Sequence, residues 1–129
     1  MKTMADRFAL LEREIAREKG DFSLFALVLR EDVPEKWDLV VAAPWFSSDR
    51  KRVLDFFVAE IKSLLGPRQL LDLSRIVVLE ASDAAVQALN RAIHVEHGMA
   101  EVRDSVFLGL PIRHAYIFSS KSPEPSTTK

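Results

Sequence analysis

Apolar residues recur among charged ones at helical spacing in some stretches of this chain and run unbroken in others, and the change from one pattern to the other marks out the elements. In residues 4–19, Met4, Phe8, Leu11 and Ile15 recur every three or four positions between Arg7, Glu12, Arg13, Glu14, Arg17 and Glu18. That spacing predicts an amphipathic helix, with Gly20 as its stop. Residues 24–29, Leu-Phe-Ala-Leu-Val-Leu, are apolar without a break and too short for a helix of their own, so residues 23–30 read as a buried strand. A polar link follows, and residues 37–45 repeat the pattern around Leu39, Val40, Val41 and Ala42, which predicts an antiparallel hairpin.

Pro44 cannot donate to a strand ladder, and Ser47, Ser48 and Asp49 offer capping oxygens before the next periodic run. That run places Val53, Leu54, Phe57, Val58, Ile61, Leu64 and Leu65 on one broad stripe and predicts a helix from Asp49 to Leu65, closed by Gly66 and Pro67. After a short turn around residues 69–73, Ile76, Val77, Val78 and Leu79 predict a third buried strand, expected near the sheet centre. A strand, a helix and a strand form a crossover, so the second and third strands are expected to be parallel.

Ser82 and Asp83 can cap a further helix carrying Val86, Leu89 and Ile93 and reaching His94 or His97, with Gly98 as its stop. Residues 102–108 and 112–119 predict two closing strands around Gly109, Leu110 and Pro111. The expected fold is a single α/β domain over residues 1–119, in the order α-β-β-α-β-α-β-β, with helices packed on a mixed sheet of about five strands. Residues 120–129 contain no large apolar side chain and are expected to be a disordered tail.

The chain of 129 residues is 48% hydrophobic and 29% charged, the balance of a folded globular domain. Eighteen basic against nineteen acidic residues leave a net charge of -1, which argues against nucleic acid and anionic membrane as partners. Without cysteine there is no disulfide framework or thiolate chemistry. Charges interrupt the first twenty residues, so they read as helix and not as an export signal, and no apolar run approaches membrane-spanning length. A cytoplasmic location is the expectation.

Parallel second and third strands would open their C-terminal ends on one edge of the sheet, where ligands of α/β sheets collect. The candidate ligand-binding residues there are Trp45, Ser47, Ser48, Asp49 and Arg50 from one loop and Glu80 and Asp83 from the other. Backbone amides at the two helix starts can hold an anion. Asp49, Glu80 and Asp83 together form the acidic cluster that a small metal-dependent hydrolase or nuclease would need for Mg²⁺ or Mn²⁺. The same residue types are what helix N-termini use for capping alone. The order of elements partly resembles the restriction-nuclease-like core, with Asp38 in the place of its acidic residue, but the strands carry no Glu-x-Lys motif.

His94, His97 and His114 are a candidate zinc set, the first two on one face if the helix extends that far. Arg50, Lys51 and Arg52 place a basic triplet at a helix start, against the macrodipole. Trp37, Trp45, Phe46 and Phe56 are more aromatic surface than the core needs, and the first helix can pack on a second copy of the chain. No group of catalytic residue types rises above capping and packing needs. The sequence therefore favours a non-catalytic binding or accessory module without cofactor, acting through a protein partner or as a homo-oligomer.

Overall fold

The computed structural model describes residues 3–107 and 109–122. The first helix, α1, is Met4–Lys19, as its periodicity predicts. Thr3 opens it with a capping box: its hydroxyl accepts from the Asp6 amide while the Asp6 carboxylate accepts from the Thr3 amide. The chain leaves α1 through Gly20 at φ +117°, a backbone region open to glycine. The expected hairpin follows as β1, Leu24–Arg30, and β2, Trp37–Ala42, paired antiparallel. β2 stops before Ala43, three residues earlier than the apolar run suggests, because Pro44 cannot continue the ladder.

Helix α2, Arg50–Leu64, is capped by Asp49, whose Oδ1 accepts from the Lys51 amide. It buries only Val53, Phe57 and Ile61 fully, and Leu64 is exposed, so its inner stripe is narrower than the sequence predicts. A 3₁₀ turn, Pro67–Asp72, leads into β3, Leu73–Leu79, which pairs with β2 in parallel as the crossover requires. Helix α3, Ala84–Ala92, starts at the Asp83 cap and ends before His94 and His97. The expected extension to His97 is thus corrected: Ile93 is already extended, and Val95 pairs with Ser120 instead. β4, Ala100–Phe107, and β5, Leu110–Ser120, close the sheet as an antiparallel pair.

The five strands form one mixed sheet in the order β3-β2-β1-β5-β4. β1 is central, and Leu24 to Val28 of its apolar run are buried, on both faces of the sheet. β3, expected near the centre, is an edge strand whose Ile76, Val77, Val78 and Leu79 are half-buried. Its β-branched run reports helices on either face, whereas its place in the sheet follows from β5 taking the other side of β1. On one face α1 and α2 set Phe8, Leu11, Ile15, Phe57 and Ile61 against Phe25, Leu39, Val41 and Phe118. On the other, α3 sets Val86 against Leu24, Ala26, Ala42 and Ile117. Ser120 and Lys121, which composition groups with the tail, belong to the fold: Ser120 is fully buried and pairs with Leu24, and Lys121 bonds to Asp21. Residues 123–129 lie outside the described residues.

Candidate functional site

The loops after β2 and β3 do meet, and they enclose a crevice of about 380 Å³. Ser47, Ser48 and Arg50 line it from one side and Glu80 and Ser82 from the other, over a floor of Ala43, Val78 and Leu79. Four of the predicted site residues, Ser47, Ser48, Arg50 and Glu80, therefore share one space. The other three point to different tasks. Asp49 caps α2, and Asp83 caps α3 through an Oδ1 that accepts from the Ala85 amide at 2.8 Å. Trp45 turns away toward α1, where its indole Nε1–H donates to the carbonyls of Gly20 and Asp21 at 3.0 and 3.1 Å.

The crevice so holds one carboxylate, one guanidinium and three hydroxyls. Asp49, Glu80 and Asp83 serve two helix caps and a contact with the Ser82 hydroxyl rather than one shared centre. Among the described residues no group of three or more His, Cys, Asp and Glu side chains is placed to hold a metal ion. The three histidines are dispersed too. His94 faces Glu96, His114 on β5 faces Glu101 on β4, and His97 faces Glu12 and Asp21.

Glu12 was not singled out by its residue type, yet it is the most deeply buried acidic side chain on α1, at 1% exposure. Its Oε2 accepts from the Ser119 hydroxyl at 2.6 Å and lies 2.8 Å from His97 Nδ1, while Oε1 has no partner among the described residues. The periodicity does carry the signal: Glu12 stands four residues after Phe8 and three before Ile15, inside the apolar stripe. His97, at φ +50°, continues this polar chain through Nε2 to Asp21, 3.4 Å away, and Asp21 to Lys121 at 2.8 Å. The hydrogen bond from Lys121 is the main reason that the Asp21 carboxyl titrates below its ordinary range. Ser119 and His97 both address the same Glu12 oxygen, so no hydroxyl is paired with an imidazole base as a nucleophile would require. The cluster ties α1, the loop before β4 and β5 together.

Trp45 is instead the centre of an aromatic shelf. Its ring lies edge-on to Phe22, Phe46 and Phe56, with centroids 5.4, 4.9 and 6.2 Å apart. Trp45, Phe46 and Phe56 are all half-buried, and with Lys19, Arg52 and Val53 they line a depression of about 220 Å³. Lys19 places its ammonium 5.6 Å above the Phe56 ring, and among the described residues Arg52 reaches only Asp49, at 3.9 Å.

Comparison with protein-family models, with curated proteins and with solved structures gives no match. Among the described residues, no helix is long and apolar enough to cross a membrane.

Proposed function

We propose that this protein is a non-catalytic binding module that holds an apolar segment of a partner protein against the shelf formed by Trp45, Phe46 and Phe56. One observation carries the reading: three half-buried aromatic rings stay open beside a depression rimmed by Lys19 and Arg52. Interfaces are enriched in aromatic residues, which remove much area from water for few frozen torsions, and in arginine, whose planar fork makes several hydrogen bonds at once. The Trp45 indole is fixed by its two carbonyl acceptors, so the shelf is ordered before a partner arrives. The basic rim selects a segment whose apolar anchor is flanked by Asp or Glu, chiefly by raising the rate of encounter.

Selection from a displayed library of random peptides tests this. Enrichment of sequences with an aromatic or aliphatic residue between acidic ones is expected, with binding weakened tenfold or more by Phe56→Ser and by Arg52→Glu. Recovery of no binders, or of binders indifferent to both substitutions, would overturn it.

A further inference from the structure

On the face of the sheet opposite α1 and α2, three neighbouring strands each contribute a charged side chain: Arg30 from β1, Asp38 from β2 and Arg75 from β3. A register shift after Trp37 skips Ser74 and places Arg75 directly across from Asp38. Asp38 is only 3% exposed, and its Oδ2 accepts from the Nε of both arginines, at 2.8 and 3.0 Å, while its Oδ1 has no hydrogen-bond partner among the described residues. Arg30 gives Nη1 to the exposed Asp32. The two Nη groups of Arg75, whose side chain is 48% exposed, have no protein acceptor among the described residues.

These residues form one end of a cavity of about 260 Å³. Its remaining surface is mostly apolar, with Val28, Val40 and Val77 as floor and Phe107 and Leu110 as wall. The far end is Leu79 and Asp83, where α3 begins; from Arg75 to Leu79 the strand advances about 13 Å. The cavity is thus a trough with a charged head and an apolar body.

We propose that this trough binds a small monocarboxylate with a medium-length apolar chain, its carboxylate on the free guanidinium N–H groups of Arg75 and Arg30 and its chain along Val28, Val40 and Val77. Asp38 acts as a positioning residue: by holding the Nε of Arg75 it leaves both Nη groups of that guanidinium to the trough, the edge that a carboxylate accepts from with paired hydrogen bonds, while Arg30, whose Nη1 serves Asp32, adds Nη2. Asp38 and Asp32 together balance the two arginines, but they take up only the Nε atoms and Arg30 Nη1, so the head presents the Nη donors of Arg75, from which a carboxylate accepts and an ammonium cannot. Asp83 at the opposite end disfavours a second carboxylate, so a dicarboxylate fits less well. This site lies on the face of the sheet away from α1 and α2 and does not depend on the peptide reading.

Octanoate is the probe, titrated into the full-length protein and followed by amide chemical shifts, with octanol and octylamine as comparisons. Saturable shifts clustered on residues 28–30, 38–40, 75–79 and 107 are expected, with octanoate at least tenfold tighter than either comparison. Arg75→Gln, at a half-exposed position, is expected to weaken octanoate tenfold or more and leave octanol unchanged, and Val77→Phe to abolish binding of both by filling the trough. Absence of saturable shifts, shifts centred elsewhere, equal binding of octanol and octanoate, or octanoate binding unaltered by Arg75→Gln would each overturn the proposal.

Discussion

Gly20 and Gly66 both hold positive φ angles, +117° and +98°, with extended ψ, a region that costs a side-chain-bearing residue of order 1–3 kcal/mol. They differ in surroundings. A Cβ on Gly20 would stand 3.2 Å from Trp45 Cδ1, whereas one on Gly66 would meet nothing within 4 Å. Gly20→Ala is therefore expected to lower the urea midpoint more than Gly66→Ala and to shift tryptophan emission; equal losses would show that the indole yields freely. A second residue-scale expectation concerns Asp21. Its folded-state pKa is depressed, first by the hydrogen bond from Lys121, so its contribution is present above the unfolded value and fades as pH falls through the folded one. Asp21→Asn should flatten the acid limb of midpoint against pH below the ordinary aspartate value of 3.8. The side chain is half exposed, so the effect is small.

At the scale of elements, α3 depends on a few contacts. It is nine residues long, buries only Val86 and Asn90, and is fixed to the sheet by the Asn90 amide, which donates to the Ser23 carbonyl at 2.9 Å and the Ser120 hydroxyl at 3.0 Å. Asn90→Ala removes both of these hydrogen bonds while the Ser23 carbonyl keeps the Lys121 amide, a loss of about 1–3 kcal/mol in unfolding free energy for the pair. Asp83→Ala removes the cap and is expected to cost about 1 kcal/mol. Amide exchange in α3 should then quicken in both variants while α2, which holds Phe57 and Ile61 in the larger core, stays protected. Uniform acceleration throughout the chain would contradict this independence of α3.

The molecule as a whole has a protected centre and two open edges. β1 lies between β2 and β5 with both faces covered, while β4 presents Glu101, Arg103, Asp104 and Ser105 to solvent. Charged side chains on an edge discourage pairing with another sheet. Native-state hydrogen exchange is accordingly expected to be slowest in β1 and quickest in the strand residues of β4, and protection of β4 equal to that of β1 would indicate that β4 is covered by a second copy. Both candidate sites lie where the helices leave the sheet incompletely covered: the aromatic shelf beside the start of α2, and the trough below the start of α3.

The elements were legible because each depends on neighbours along the chain. Period fixed α1 to the residue, and Asp49, Asp83 and Pro44 marked boundaries by the hydrogen bonds they supply or lack. The parallel pairing of β2 and β3 was legible as well, since a helix between two strands leaves little choice, and it brought Ser47, Ser48, Arg50 and Glu80 to one crevice. What depends on distant partners was not. The placement of β3 at an edge follows from β5 returning to β1 across more than 80 residues. The aim of Trp45 follows from the carbonyls of Gly20 and Asp21, just past the end of α1. Glu12 stands inside the apolar stripe of α1, but its partners Ser119 and His97 are brought to it only by the fold, and Asp38 reads as an isolated acid until β1 and β3 set an arginine on each side. Local periodicity and capping are decided within a few residues, and so the sequence determines them; burial of a charge is decided by which strands become neighbours, and only the tertiary structure settles that.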